Sequence, residues 1–322
     1  RLADALENIH HQSSAAKPRD VPDSVVHVYQ LFVQIKNTTK PLEGTTYGYK
    51  RAMDDIRMLS ILAGDEEELR KKPMVLGYHN PVSPLQHSKE LTQGLMVYAK
   101  YKQPLIIAPE AEAGATAPVT LAGLLVQQNA EILSGIVMAE LVNPGTPVLY
   151  GTVSTIIDMK TGTVAYGAIE SGLINVATAQ LAQYYGLPSR GTGGGTDSKI
   201  PDIQAGFEKA ITLLMAALAG INFIYNAAGS LDSSLTVSYE QTVIDNEICG
   251  IVSRALRGIE INDETLAIDI IEHIGPGGHY LAQQHTLKYL TKEHYLPKLL
   301  NRQSWELSLI HISEPTRLGM IS

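Results

Sequence analysis

The stretch Leu187-Pro188-Ser189-Arg190-Gly191-Thr192-Gly193-Gly194-Gly195-Thr196-Asp197-Ser198-Lys199-Ile200-Pro201-Asp202 reads as a short strand, a glycine-rich turn and the start of a helix at Pro201-Asp202. Three consecutive glycines, Gly193 to Gly195, let backbone approach a ligand closely with its N–H groups exposed. Strand, turn and helix in that order form the repeating unit of a parallel α/β sheet. In a closed barrel of such units the turn after a strand lies at the active mouth.

Outward from that unit the same alternation continues. Candidate strands are 9–14, 45–49, 74–79, 105–110, 148–153, 187–191 and 223–227. Helical stretches lie between them at 25–33, 49–62, 84–100, 118–141, 168–185, 201–219 and 238–256, with Ser83 as an N-cap and Gly64, Gly186, Gly220 and Gly258 as stops. About seven such units favour a (β/α)8 TIM-type barrel missing its first strand. An open doubly wound sheet is disfavoured because no Gly-x-Gly-x-x-Gly opens the first helix. No linker breaks the run, so a single domain is expected over 1–306. After Gly258, the run Ile274-Gly275-Pro276-Gly277-Gly278-His279 and a helix through Leu290 read as a C-terminal cap on the barrel end.

Bulk composition removes several classes of function. Hydrophobic residues at 44% and charged residues at 18% of 322 describe an ordinary buried core. A net charge of −8 argues against nucleic acid or an anionic membrane as the main partner. The single cysteine, Cys249, sits in an apolar run and reads as a small buried hydrophobe. It permits no disulfide framework and no cysteine-paired zinc site, which suits a reducing, cytoplasmic location. The longest apolar run, 211–225, is too short for a bilayer and reads as a buried helix followed by a strand. The histidines form no metal-ligand spacing, so no metal is expected.

The two ends look unnatural. The chain opens Arg1-Leu2-Ala3-Asp4, without Met, as an internal fragment would. Residues 307–322, beginning Leu307-Ser308-Leu309-Ile310-His311-Ile312, resemble the translation of a transposase-type sequencing-library adapter and are set aside from the fold. The barrel is therefore expected to be incomplete at both ends.

The chemistry of such a barrel belongs at the C-terminal strand ends. Those ends carry Tyr47, Tyr78 with His79, Glu110 with Glu112, Tyr150, Arg190 with Gly193, Gly194 and Gly195, and Tyr225. Tyr is the dominant aromatic, with 15 against 3 Phe and 1 Trp. Its face attracts an alkylated ammonium through cation–π contact, worth about 0.5–2 kcal/mol when desolvated. Glu110 and Glu112 point to one side if the strand runs through them, and would then complement a cationic substrate. If the strand ends earlier, both are loop residues. The glycine turn leaves a second reading open, a phosphate cradle in some other metabolic barrel enzyme. A third reading is a truncated product that is inactive because open sheet edges aggregate.

Several segments resemble the trimethylamine methyltransferase family of corrinoid-dependent amine methyltransferases. They are Asn37-Thr38-Thr39-Lys40, Pro81-Val82-Ser83-Pro84-Leu85, Asn129-Ala130-Glu131-Ile132-Leu133-Ser134-Gly135, Leu187-Pro188-Ser189, Thr196 through Gly206, Val243-Ile244-Asp245-Asn246-Glu247 and Gly275-Pro276-Gly277-Gly278-His279-Tyr280-Leu281. The resemblance implies a TIM-type barrel that binds no cofactor directly. It moves a methyl group from a small methylated amine to the cobalt of a corrinoid carried by a partner protein, and a homo-oligomer is a further family-level expectation. Trimethylamine-specific members carry pyrrolysine between Leu-Pro-Ser and Asp-x-Lys-x-Pro-Asp, a position that falls at about Gly195 here. The departure implies the branch without pyrrolysine, whose substrates are quaternary amines such as betaines. A quaternary nitrogen is permanently cationic and leaves as a neutral amine without prior protonation. The site then has to bind it, desolvate it and aim one methyl. On this reading Glu110 and Glu112 are the catalytic carboxylates. Tyr47, Tyr78, His79, Tyr150 and Tyr225 bind substrate. Arg190, or the N–H groups of Gly193–Gly195, would hold a substrate carboxylate.

Overall fold

The computed structural model describes residues 1–14 and 16–307. The adapter-like stretch therefore lies, beyond Leu307, outside the described residues. In chain order the elements of the first compact unit, which runs from Arg1 to Val252, are α1 (Leu2–Ala5), α2 (Val26–Asn37), β1 (Leu42–Glu43), α3 (Tyr49–Ala63), α4 (Glu66–Lys71), β2 (Val75–His79), α5 (Lys89–Lys100), β3 (Leu105–Ile107), β4 (Glu112–Ala113), α6 (Leu121–Val142), β5 (Val148–Gly151), β6 (Thr155–Asp158), β7 (Thr163–Ala165), α7 (Ile169–Tyr184), β8 (Ser189–Thr192), α8 (Ile203–Leu218), β9 (Phe223–Tyr225), β10 (Ser230–Leu231), β11 (Thr236–Val237) and α9 (Tyr239–Leu256), whose last turn passes the unit boundary.

The principal sheet is parallel, six-stranded and ordered β1-β2-β3-β5-β8-β9. Helices cross between its strands, as parallel pairing requires. Tyr225 on the last strand donates to Glu43 Oε1 on the first at 3.3 Å, so the sheet curls until its two edges face each other. The N-terminal segment stands at those edges. Gln12 makes one parallel bridge to Leu42, and His11 packs edge-on against Phe223. The strand expected at 9–14 is thus reduced to a single bridge. Of the barrel expected to be incomplete at both ends, the described residues form a curled half-barrel of six parallel strands and that bridge. A smaller sheet, β4-β6-β7, rises from the loops after β3 and β5.

Register fixes which side chains share a face, because paired residues in parallel strands point the same way. Glu43, Tyr78, Ile106, Leu149, Gly151, Arg190, Thr192, Phe223 and Tyr225 fall on the concave side. Leu42, Val75, Gly77, His79, Leu105, Ile107, Val148 and Tyr150 fall on the helix side. The main core forms there, where Leu42, Leu59, Val75, Tyr98, Leu105, Ile107, Ile132 and Tyr150 pack together. Gly77 permits this approach, since a Cβ there would run into the Tyr98 ring.

Local chemistry accounts for the helix ends. Asp202 caps α8 by accepting from Ala205 N at 2.9 Å. The helix expected from Pro84 begins instead at Lys89, capped by Ser88. Ser83 is occupied elsewhere, donating to Glu131 Oε2 at 2.8 Å. Helix α6 is long and apolar enough to cross a membrane by length and composition. Here it lies against β3, β4 and β5 beside α5 and α7. It buries Gln128 and Glu131, and Gln128 is bonded to Thr178 and Thr152 at 2.9 and 2.6 Å.

The second compact unit starts at Ser253. It holds α10 (Asp263–Leu266), α11 (Ile268–Ile274) and α12 (Gln284–Glu293). Asn262 and Thr265 form a capping box at its first helix, and Arg254 pairs with Glu293 at 3.1 Å.

Candidate active site

The concave face gathers charge that no single sequence motif announces. Arg190 on β8 is 1% exposed. Its Nη1 donates to the Thr152 carbonyl and to Thr192 Oγ1. Its guanidinium lies 5.2 Å from the Tyr78 ring centre and 4.9 Å from that of Tyr225. Those two rings meet edge-to-face at 5.4 Å. The arrangement keeps a buried cation solvated by π faces, a carbonyl and a hydroxyl. Arg190 Nε is left without a partner, as is the Tyr78 hydroxyl.

Beside this cluster a cavity of about 290 Å³ opens at the ends of β1 and β2. Its walls include His27, Glu43, Tyr47, Asp55, Tyr78 and Asn80. Glu43 Oε1 takes the Tyr225 hydroxyl, while Oε2 has no partner. Burial pushes the Glu43 carboxyl up to about 7, against the pull of the Tyr225 bond and the Arg190 charge. Asp55 is likewise raised to about 7 by burial, although it accepts from Thr45 N at 2.6 Å and Tyr98 OH at 3.0 Å. His27 bonds Asp54 at 3.2 Å.

The glycine turn after β8 is built differently. Gly193, Gly194 and Gly195 are all buried. Gly193 N donates to the Tyr225 carbonyl at 3.0 Å, and Gly194 N to Thr212 Oγ1 at 3.1 Å. Gly194, at φ 81°, turns its carbonyl to Lys209 Nζ at 2.7 Å. Lys209 pairs with Asp245 at 3.0 Å, with both side chains almost fully buried. Asp245 is completed by Gly229 N and Gln241, each at 2.7 Å. This turn is thus a buried joint pinned by an ion pair, and two of its three N–H groups are already spent. An anion cradle at this turn would have to draw on the Gly195 N–H.

The sequence profile of the family described as Trimethylamine methyltransferase (MTTB) matches residues 1–307. The chain belongs to the trimethylamine methyltransferase family. It is similar to a protein named glycine betaine methyltransferase from Desulfitobacterium hafniense (strain Y51), 41% identical over 307 residues, covering 95% of this chain and 64% of that protein. It is equally similar to trimethylamine methyltransferase MttB of Methanosarcina barkeri (strain Fusaro / DSM 804), 42% identical over 308 residues, covering 94% of this chain and 61% of that protein. A trimethylamine methyltransferase MttB from Desulfitobacterium hafniense (strain DSM 10664 / DCB-2) is 37% identical. The chain therefore spans somewhat less than two thirds of these relatives' length.

Within this family member, the residues expected at the site divide into three groups. Tyr78, Arg190 and Tyr225 meet on the concave face, and Tyr47 joins Tyr78 on the cavity wall. His79 and Tyr150 lie on the opposite, helix-facing side. His79 Nε2 bonds His87 Nδ1 at 2.9 Å, and burial lowers its pKa to about 4. Tyr150 donates to Asn129 Oδ1 at 2.8 Å in the helix layer. Glu110 and Glu112 follow the end of β3 at Ile107. Glu110 is exposed and accepts from the Tyr166 hydroxyl, while Glu112 opens β4. Burial, and then the charge of Glu110, raises the Glu112 pKa. Sequence reasoning missed Glu43, Tyr166, Lys209 and Asp245. Glu43 lies in a two-residue strand without periodicity, while Lys209 and Asp245 sit on helices that looked merely amphipathic.

Proposed function

We propose that the full-length protein removes a methyl group from a quaternary amine and passes it to the cobalt of a corrinoid on a separate protein. The completed fold on this reading is a (β/α)8 barrel, with the curled sheet as its larger part. The nitrogen–methyl bond breaks with its electron pair returning to nitrogen, and the methyl carbon bonds to the reduced cobalt, which supplies its own pair. The leaving group is a neutral tertiary amine, so the permanent positive charge of the substrate replaces an acid catalyst.

The observation that carries the quaternary branch is the lack of space at the three glycines. A Cβ at Gly195 would lie 2.9 Å from the Tyr166 carbonyl oxygen. One at Gly194 would lie 3.1 Å from Ala227 backbone, and one at Gly193 2.7 Å from Ile224 and 3.2 Å from the Leu213 Cα. Whichever of these aligns with the pyrrolysine of trimethylamine-specific members, a long side chain has no room on this backbone. The sequence identities favour neither substrate, since the betaine and trimethylamine relatives match equally well. The phosphate-cradle alternative loses its main support with the two consumed N–H groups.

The test is methyl transfer by the full-length protein to reduced corrinoid, followed by the absorbance of the methyl–cobalt product. Glycine betaine, carnitine and other betaines are each compared with trimethylamine. Transfer from a betaine and not from trimethylamine is expected. Transfer from trimethylamine alone, or none across the panel, would reject the reading.

A further inference from the structure

Glu43 is the carboxylate that the concave face leaves unfinished. Its Oε2 is buried without a donor, and the Glu43 residue is among those that line the cavity of about 290 Å³, as are Tyr47, Tyr78 and the helix residues His27, Gln34 and Asp55. Asp55, the other acid of that wall, already holds two donors. A buried carboxylate oxygen normally collects N–H or O–H groups. A quaternary ammonium is the cation that offers none, so an oxygen left bare next to aromatic faces is the complement of that ligand.

We propose that Glu43 is the anionic wall of an onium subsite in this cavity, holding the methylated nitrogen against Oε2. The proposal rests on the quaternary-amine reading above and assigns the charge-complementing role to Glu43 instead of Glu110 and Glu112. The groups that face Glu43 are Tyr225 on β9, Arg190 on β8, Tyr78 on β2, Tyr98 on α5, and Asp55 and His27 across the cavity. The charge of Arg190 favours ionised Glu43, while burial opposes it and holds the carboxyl near neutrality. An arriving cation replaces the missing solvation and expels the proton, so binding and proton release are linked.

The experiment is isothermal titration of the full-length protein with tetramethylammonium and with glycine betaine at pH 6 and pH 8. Two buffers of different ionisation heat are used at each pH. At pH 6, release of on the order of one proton and affinity about tenfold weaker than at pH 8 are expected, with almost no release at pH 8. Glu43→Gln should lose at least about tenfold in affinity at pH 8, together with the proton release, and Glu43→Asp should restore part of both. Circular dichroism verifies that each variant is folded, and the proton count of the unmodified protein stands as a test even if one is not. Binding without proton release at pH 6, equal binding by Glu43→Gln, or no binding of either cation overturns the subsite. The proposed reaction is judged separately. Proton-linked binding without methyl transfer from any quaternary amine keeps the subsite and rejects the reaction. Transfer from glycine betaine that is indifferent to Glu43→Gln keeps the reaction and rejects the subsite.

Discussion

The glycine turn after β8 and the cavity beside β1 occupy the same compact unit and treat polar groups in opposite ways. At the turn, the Gly193 and Gly194 N–H groups, the Gly194 carbonyl, Lys209 and Asp245 all have partners. At the cavity, Glu43 Oε2 and the Tyr78 hydroxyl have none, and the Glu43 carboxyl sits near neutrality. A saturated network holds backbone in place, whereas an unsaturated one keeps capacity for a ligand. The conspicuous motif is therefore saturated with internal partners, and the proposed ligand contact falls instead on the inconspicuous Leu42-Glu43 pair.

Breaking the turn should have the largest effect. Lys209→Met strands Asp245 as a buried uncompensated charge and should reduce the unfolding free energy by about 3–5 kcal/mol in urea titrations. Replacing both partners, as Lys209→Met with Asp245→Leu, should recover much of that loss. A cost below about 1 kcal/mol for Lys209→Met would show that the ion pair does not hold the turn.

The cavity should respond in the opposite sense. The folded-state pKa of Glu43 is raised from 4.5 to about 7. Its contribution is fully present below pH 4.5 and is lost as pH rises through about 7. Glu43→Gln should therefore gain stability relative to the unmodified protein over that window, by about 2–3 kcal/mol at pH 7.5. The comparison must be made as a difference. His11 and His79 are lowered to about 4 by burial, so their own contribution is lost as pH falls, which opposes the carboxyls. A pH-independent difference between the two proteins would remove Glu43 from the account.

How much of this was legible follows strand length. The parallel order and the long helices α6, α7 and α8 were readable because periodicity runs for four turns or more. β1 was not, since two residues show no alternation, and the strand expected at 45–49 is in fact the loop between Glu43 and α3. That displacement hid Glu43 and promoted Tyr47. His79 and Tyr150 lie on the helix side for another reason. A strand end identifies a neighbourhood, but parity decides the face, and shifting by one residue turns a side chain from the concave face to the helix face. Gly77, pressed on Tyr98, was the clue that odd positions of β2 face the helix layer.

Two smaller effects sharpen the comparison. Gly195→Ala places a methyl 2.9 Å from the Tyr166 carbonyl oxygen and should cost about 1–3 kcal/mol in urea unfolding without altering the affinity for an onium. Tyr225→Phe removes the 3.3 Å bond to Glu43 and should cost about 0.5–1.5 kcal/mol. It should also move the Glu43 transition to higher pH, because that bond lowers the carboxyl pKa. A downward movement would mean that another group governs the titration.

The most direct measurement is a crystal structure of the full-length protein with glycine betaine bound. The account predicts the trimethylammonium group in the cavity against Glu43 Oε2, with Tyr78 beside it and the turn at Gly193–Gly195 untouched. Density for the ligand on the Gly193–Gly195 amides, with Glu43 unoccupied, would contradict it.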